Sequence, residues 1–463
     1  MNRKSIKWII LLLIVLAVGA LLAYSINQNI SSVAEFFSNG VLRSETVMIV
    51  TFLLLGVPLL LVILLLIMAF VRPKSQAITA TLTGTVKASA LQDSADSESV
   101  ERDGASRFCM LNEIENQKSE YKRFKYDRNI TLMQLCEDFR NYAASRLKLY
   151  YDISDIRRFI AGMAVSHIII LQGMSGTGKT SLAQAFGSYI DNTSTIIPVQ
   201  PMWKERTDLI GYYNEFTKKF NETLLLEKMY EANYSDNIYI TVLDEMNIAR
   251  IEYYFAEFLS LLELPNPDER YIDVVSDKWE SDPKQLVNGR IKLPENMWFI
   301  GTANNDDSTF AISDKVYDRA MILNLDTKSE RYVAPKTGKL HISYEQFTAL
   351  VDEAMEEYEI SARNKKRLEE LDAYLVEHFH ITFGNRIMKQ IRTYIPVYIS
   401  CGGDELDALD DILAKKVIRK LETQNPIYLR NASDGLISFI NELFGPDKMT
   451  ICKEHIHRLE RNA

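Results

Sequence analysis

One short segment restricts the folds open to this chain more than any other. The apolar residues 168–171 are followed by the stretch GMSGTGKT at 173–180, and then by apolar residues at helical spacing. Glycines at this spacing let backbone N–H groups turn inward around an anion, and the N-terminus of the next helix adds a positive dipole. The order of strand, loop and helix predicts a phosphate-binding loop, or P-loop.

The residue types in this loop point to a nucleoside triphosphate bound with Mg²⁺. Lys179 would reach the β- and γ-phosphates, and the hydroxyl of Thr180 would ligate the metal ion. A glycine-rich turn that arose by chance is the alternative, and the strand and helix patterns on either side argue against it. The nucleotide-binding candidates in the loop are Gly173, Ser175, Gly176, Thr177, Gly178, Lys179, Thr180 and Ser181.

A second strand-like run, NIYITVLDEMN at 237–247, contains two adjacent acidic residues at its end. Carboxylates at the end of a buried strand are costly to desolvate, so their presence there indicates a function. Asp244 fits a contact to Mg²⁺ through water, and it joins the nucleotide-binding and metal candidates. Glu245 fits the base that orients the attacking water. A surface turn is the alternative interpretation.

Two further polar residues follow apolar segments later in the chain. The run at 297–302 leads to Asn304, whose amide could hold the attacking water, although an asparagine-rich turn is the alternative. Arg319 ends a short helical stretch before another apolar strand, where it could act on the nucleotide of a neighbouring subunit. A surface salt bridge is the competing explanation for Arg319.

The part of the chain from about residue 343 to the end carries amphipathic helical patterns without a strong strand signal. The clearest pattern is Leu406, Leu409, Leu413, Val417 and Leu421. We interpret residues 331–463 as a helical lid on a nucleotide-binding core at 131–330. Arg386 lies in the segment FGNRIMKQI at a predicted helix start, from which it could approach the phosphates on the lid side.

Two apolar runs near the start of the sequence, 8–26 and 47–71, are long enough to cross a bilayer, which takes about 20 residues. Lys and Arg residues precede the first run and follow the second, whereas the loop between the runs contains a single basic residue, Arg43. This distribution predicts a multi-pass protein of the cell (inner) membrane with its N-terminus and soluble part in the cytoplasm. A cleaved signal peptide at 1–23 is the alternative for the first run.

Composition and charge limit the structure and the binding partners of the chain after the two apolar runs. Residues 72–130 include a polar stretch rich in Ser, Asp and Glu, which predicts a partly disordered cytosolic linker. The net charge of -9 argues against a broad basic surface, so direct DNA binding would need a local patch or a partner. The acidic stretch at 268–282 is interpreted as a hairpin or a pore-side insertion rather than a nuclease site.

Together these motifs resemble the AAA+ class, and more narrowly the McrB-like, methylcytosine-specific restriction subunits of the dynein-related AAA subfamily. The resemblance covers about residues 132–421. The strings that carry it are LQGMSGTGKTSLA, PVQPMWKERTDLIGYYN, LDEMNIARIEYYFAEFLSLLE, LPENMWFIGTANNDDSTF, DKVYDRA and FGNRIMKQI.

This resemblance implies an α/β fold with a five-stranded parallel sheet between helices and a C-terminal helical lid. It also implies assembly into a homo-oligomeric ring with a nucleotide at each subunit interface. The roles implied are the Walker A pair for Lys179 and Thr180, the Walker B pair for Asp244 and Glu245, the first sensor for Asn304, the finger in trans for Arg319 and the second sensor for Arg386.

Family members usually drive a separate nuclease or another effector subunit, often in defence against foreign DNA. The segment TANNDDS differs from the signature of the GTP-using members, so we expect ATP, with GTP as the alternative nucleotide. The DNA-reading domain of the well-known members is replaced here by the two apolar runs. We therefore expect a membrane-anchored ATPase that drives or activates a partner effector in bacterial antiphage restriction. A MoxR-like chaperone that remodels membrane or envelope protein complexes is the alternative.

Overall fold

The computed structural model describes residues 106–118, 125–127, 129–304, 309–326 and 329–462. The two apolar runs at 8–26 and 47–71 and most of the polar linker lie outside these residues. Within the described ranges, no helix has both the length and the apolar character that a membrane crossing requires.

Helices and strands alternate up to residue 324, and helices follow in the remainder of the described chain. The strands are β1 (Ile168–Gln172), β2 (Thr195–Pro198), β3 (Gly211–Asn214), β4 (Lys219–Glu222), β5 (Tyr239–Asp244), β6 (Tyr271–Asp273), β7 (Leu286–Val287), β8 (Arg290–Lys292), β9 (Met297–Ala303) and β10 (Met321–Asn324). The helices are α1 (Met110–Gln117), α2 (Leu132–Tyr142), α3 (Ile153–Val165), α4 (Lys179–Tyr189), α5 (Thr207–Ile210), α6 (Leu224–Ala232), α7 (Ile251–Tyr254), α8 (Ala256–Leu261), α9 (Asp314–Tyr317), α10 (Tyr344–Glu357), α11 (Ala362–Phe379), α12 (Asn385–Ser400), α13 (Glu405–Lys416), α14 (Pro426–Phe444) and α15 (Thr450–Asn462). A π-helical turn at Ala143–Leu147 follows α2, and 3-10 turns lie at Met246–Ile248, Pro267–Glu269 and Ile418–Thr423.

Five parallel strands form the central sheet in the order β10-β1-β9-β5-β2. Because the strands are parallel, all their carboxyl ends meet at one edge, where ligands of open α/β sheets bind. The predicted α/β fold with a five-stranded parallel sheet and C-terminal helices is confirmed by this topology.

Two apolar layers cover the sheet, one on each face. In β1, Ile169 and Leu171 belong to one layer, whereas Ile168 and Ile170 belong to the other. Successive side chains of a strand point to opposite faces, so a strand covered on both sides must be apolar throughout. This explains why β1 appears in the sequence as an uninterrupted apolar run.

Two antiparallel insertions extend from the core. Strands β3 and β4 form a hairpin, and β6, β8 and β7 form a three-stranded sheet in that order. The acidic stretch at 268–282 contributes β6 to the second insertion, whereas the hairpin of β7 and β8 follows the stretch. Phe216, in the turn between β3 and β4, is fully exposed.

The folded unit begins before residue 131, where we had placed its start. Phe108 and Leu111 are buried in the apolar layer that also covers α6. Arg107, which is 3% exposed, forms an ion pair of 2.7 Å with Asp282 of the second insertion. Residues that bury apolar side chains and a paired charge belong to the core and not to a linker.

The C-terminal helices α10–α15 form the predicted helical lid. Its clearest sequence pattern, from Leu406 to Leu421, is folded as α13 and the 3-10 turn that follows. Helix α12 packs against α3, which directly precedes β1, and the lid shares one continuous apolar layer with that face of the sheet. The lid therefore contacts the core at both edges of the sheet. The start of α12 lies beside the start of β1, and residues of α13 and α15 line a cavity with Gln172 and Asn324 at the ends of β1 and β10.

Candidate active site

The P-loop connects the carboxyl end of β1 to α4. Gly173 has φ +147°, and a Cβ at this position would lie 2.4 Å from the carbonyl oxygen of Leu325. Gly178, directly before α4, has φ +96°, a left-handed conformation that residues with a side chain rarely adopt. The glycines at both ends of the loop are thus required by close approach and by backbone conformation.

Lys179 begins α4, and its side chain folds back under the loop. The ammonium donates hydrogen bonds to the carbonyl oxygens of Gly173 at 2.9 Å and Met174 at 2.8 Å, and the residue is only 7% exposed. These bonds hold a positive charge inside the ring that the loop makes. The loop backbone and the lysine together form a cradle for an anion.

Thr180 and Asp244 meet at the same edge of the sheet. The hydroxyl of Thr180 donates a hydrogen bond of 2.8 Å to Oδ1 of Asp244, which ends β5. Hydroxyl and carboxylate oxygens are ligands that Mg²⁺ accepts, and Mg²⁺ usually takes only one or two protein carboxylates beside water and phosphate. The donor set therefore fits the predicted metal ion.

Glu245 follows Asp244 in a strained conformation. Its φ and ψ are 53° and 47°, in the left-handed region that is uncommon for residues other than glycine. Its backbone N–H donates to the hydroxyl of Thr302 at 2.8 Å. That same hydroxyl donates to Oδ1 of Asp244 at 2.8 Å. One threonine in β9 thus fixes both acidic residues.

Thr302 was missed in the sequence analysis. The sequence feature that could have indicated Thr302 is its hydroxyl inside the otherwise apolar strand β9, which is buried along its whole length. Threonine is common in strands, so the residue type alone does not distinguish a site residue from ordinary packing. Only its contacts with Asp244 and Glu245 show its place in the site.

Asn304 follows β9 at the same edge of the sheet. Its backbone carbonyl accepts hydrogen bonds from the side chains of Asn247 at 2.9 Å and Thr309 at 3.0 Å. Asn247, which is 3% exposed, also exchanges backbone and side-chain bonds with Phe310. The buried amide of Asn247, a second residue that the sequence analysis missed, thereby ties the loop after β9 to the acidic pair. The water-holding role of the Asn304 side chain stays a prediction.

Arg319 and Arg386 lie at the opposite edge of the sheet. Arg319 precedes β10, and its carbonyl accepts a hydrogen bond from Ser166, which precedes β1. A strand of four or five residues separates the two edges by roughly 13–17 Å. The structure therefore brings Lys179, Thr180, Asp244 and Glu245 together and leaves both arginines apart from them.

Both arginines bind the same carboxylate. Arg319 contacts Oε2 of Glu263 at 2.8 Å, and Arg386 contacts Oε1 at 2.6 Å. The salt bridge considered as an alternative for Arg319 is therefore present. Arg386, expected to approach the phosphates from the lid side, lies beside Arg319, because α12 packs on α3 and begins near the amino end of β1.

The two arginines line a cavity of about 660 Å³. Arg270 and Lys389 add further positive charge to its wall, and Glu263 is a carboxylate among these cations. Burial lowers the pKa of His167 to about 4, with Arg270 acting in the same direction, so this imidazole is neutral at pH 7. The cavity is a basic site suited to an anion with several oxygens.

Residues 168–320 match the family described as AAA domain (dynein-related subfamily). This segment is an AAA domain. The chain accordingly carries an AAA+ ATPase domain that hydrolyses nucleoside triphosphates, and such domains bind their nucleotide typically with Mg²⁺. Residues 334–463, which cover the lid, match a family described as a domain of unknown function (DUF8727). The comparison with curated proteins gave no significant match.

Solved structures resemble the chain only loosely. A protein from Cytophaga hutchinsonii described as an ATPase is 14% identical, with a TM-score of 0.44, over 72% of this chain and 97% of its own. A full-length MCM homolog from Methanopyrus kandleri is 10% identical, with a TM-score of 0.32, over 63% of this chain and 57% of its own. Similarity at this level carries no conclusion about chemistry.

Replacing Thr302 with valine tests the assignment of this residue. Thr302→Val keeps the shape but removes the hydroxyl, which leaves the N–H of Glu245 without its acceptor. We expect kcat for ATP hydrolysis to fall about 10- to 100-fold, because small displacements of catalytic groups cost factors of this size. The loss in unfolding free energy should stay near 1–3 kcal/mol.

Thr241→Val is the matched control. Thr241 lies in β5 and is 1% exposed, and its hydroxyl has no hydrogen-bond partner among the described residues. Its removal should leave steady-state hydrolysis unchanged. If the two variants hydrolysed ATP at the same rate, Thr302 would have no role in the site.

Proposed function

We propose that this chain is a membrane-anchored, ring-forming ATPase that uses ATP hydrolysis to drive or activate a separate effector subunit. The observation that carries the proposal is the division of the chemistry between two edges of one sheet. The P-loop and the acidic pair lie at the carboxyl edge, and two arginines lie at the amino edge. The P-loop and the acidic pair cannot be reached by the arginines of the same subunit. We infer that a neighbouring subunit supplies the arginines.

The groups at the carboxyl edge would bind and orient the reactants. The loop backbone and Lys179 hold the phosphates, and Glu245 holds and deprotonates the attacking water. Thr180 and Asp244 would hold Mg²⁺, which when bound supplies charge neutralisation at the phosphates. Thr302 fixes the directions of Asp244 and Glu245 relative to each other.

The groups at the amino edge would act on the nucleotide of the adjacent subunit. Arg319 and Arg386 are partly exposed, with 22% and 46% of their side chains accessible, so a neighbour can reach them. Carboxylate and phosphate oxygens present similar geometry to a guanidinium. We infer that the γ-phosphate of the neighbouring subunit takes over the interactions that Glu263 makes with both arginines.

The membrane anchor, the type of partner and the choice of nucleotide are inferred from the sequence. The apolar runs at 8–26 and 47–71 support an anchor in the cell membrane with the ATPase in the cytoplasm. The motif strings support a McrB-like subunit with a nuclease or other effector partner, in antiphage restriction. The segment TANNDDS supports ATP over GTP. The net charge of -9 supports DNA contact by the partner in preference to this chain.

Mixed assemblies test whether Arg319 acts between subunits. Arg319→Ala should keep ATP binding and lower hydrolysis by about 10³-fold or more, the usual contribution of an arginine finger. Lys179→Ala should be inactive because it cannot bind the triphosphate, although it keeps its own Arg319. Mixing the two full-length proteins should restore hydrolysis. A mixture as inactive as its components would exclude action in trans.

Purification from native membranes tests the anchor and the partner. The tagged full-length chain should sediment with the membrane fraction and carry a nuclease or related effector subunit. A chain with residues 1–74 removed should stay in the supernatant while it retains hydrolysis. Recovery of envelope proteins without an effector would favour the chaperone alternative, and an intact chain in the supernatant would contradict the anchor.

A further inference from the structure

The short turn that carries Arg319 depends on the lid for its hydrogen bonds. Helix α9 is only four residues long, and Arg319 lies two residues after its end. The last carbonyls of any helix have no partner within the helix, and buried ones must find partners elsewhere. The groups that donate hydrogen bonds to these carbonyls therefore hold Arg319 in place.

The core and the turn itself satisfy only some of these carbonyls. The carbonyl of Val316 accepts from the N–H groups of Arg319 and Ala320, and that of Lys315 accepts from the guanidinium of Arg319. The carbonyl of Arg319 accepts from Ser166 at 2.9 Å. Three carbonyls remain, those of residues 317, 318 and 320.

Side chains of the lid satisfy all three. The ammonium of Lys416, at the end of α13, donates to the carbonyls of Tyr317 at 2.7 Å and of Ala320. Gln390 of α12 donates to the carbonyl of Asp318 at 3.1 Å. Lys416 is 2% exposed, and burial lowers the pKa of its side chain to about 7. The nitrogen keeps N–H donors for these carbonyls whether or not it is charged. The lid thus caps the turn from two different helices.

A second contact joins the lid to the start of the same turn. Arg419, which is 8% exposed, pairs with Asp314 at 2.7 Å and lies 4.0 Å from the centre of the Tyr317 ring. The hydroxyl of Tyr317 accepts a hydrogen bond of 2.6 Å from Gln172, the last residue of β1 before the P-loop. The turn is therefore held between the lid and the strand that ends at the nucleotide site.

We propose that Lys416 is a positioning residue for Arg319: through the carbonyls of the 314–320 turn, the lid of one subunit sets the geometry of the arginine that acts on the next. The inference rests on the proposed action of Arg319 between subunits. Lys416 itself contacts no substrate. Its effect is to keep the turn in one conformation, so that lid movement changes hydrolysis at the neighbouring site.

Lys416→Met tests this role, because methionine keeps the length of the side chain and removes its donors. We expect kcat of the full-length protein to fall about 10- to 100-fold, with KM for ATP changed by less than about threefold. Lys416→Arg, which keeps N–H donors at this position, should recover much of the loss. Unchanged kcat in Lys416→Met would overturn the proposal.

Lys453→Met is the matched control. This lid lysine donates to the carbonyl of Pro446 at 2.6 Å and to the side chain of Asn441, both within the lid. Removing its donors disturbs the lid without touching the turn that carries Arg319. We expect wild-type kcat. A loss equal to that of Lys416→Met would mean that any damage to the lid slows hydrolysis, and the specific role of Lys416 would be wrong.

Mixing with Lys179→Ala separates positioning from a general defect. The Lys416→Met subunit keeps its own P-loop, so an intact Arg319 from a Lys179→Ala neighbour should restore hydrolysis several-fold above either protein alone. If Arg319→Ala is rescued in this way and Lys416→Met is not, the defect lies in its own nucleotide site and the inference fails. If neither Arg319→Ala nor Lys416→Met is rescued, the proposed action of Arg319 between subunits is wrong.

Gln390→Met provides a second variant in case Lys416→Met does not fold, as judged by thermal unfolding. Gln390 is 8% exposed and donates a single hydrogen bond to the turn, so its loss is milder. We expect a smaller fall in kcat, about 3- to 10-fold, with the same rescue by Lys179→Ala. A wild-type kcat in this variant would leave the lid without influence on Arg319 and would overturn the proposal.

Discussion

A single carboxylate oxygen organises the catalytic half of this protein. Oδ1 of Asp244 accepts hydrogen bonds from the hydroxyls of Thr180 and Thr302, each at 2.8 Å. The first hydroxyl belongs to the helix that follows the P-loop, and the second belongs to the strand between β1 and β5. Three elements that are distant in sequence are thereby fixed at one point. A buried hydrogen bond to a charged group contributes about 1.5–3 kcal/mol and is directional, so it positions as well as stabilises.

The parallel sheet keeps the phosphate-binding and acidic residues apart from Arg319 and Arg386 within one subunit. Phosphate-binding and acidic groups follow the carboxyl ends of the strands, whereas Arg319 precedes one strand and Arg386 begins a helix packed near the amino end of another. The strand length keeps these groups apart. In the proposed ring, head-to-tail contacts would place the carboxyl edge of one subunit against the amino edge of the next.

Local sequence patterns were sufficient for the parts of the site that are contiguous in the chain. The P-loop and the acidic pair each follow a buried strand with a recognisable apolar run, and the resemblance implied a sheet of five parallel strands. Thr302, Asn247 and Glu263 could not be found in this way. Each is an ordinary residue for its local element, and its importance comes from contacts with residues distant in sequence. The contact of Arg386 with Glu263 could not be predicted for the same reason, since it depends on how α12 packs and not on the segment around it.

The central claim is that Glu245 activates water against a triphosphate held by Lys179. The most direct test is steady-state ATP hydrolysis by the full-length Glu245→Gln variant beside the wild type, with ATP binding measured on both. The account predicts binding within about threefold of the wild type and hydrolysis about 10²- to 10⁴-fold slower, the range expected when a general base is lost. Equal hydrolysis rates in the two proteins would contradict it.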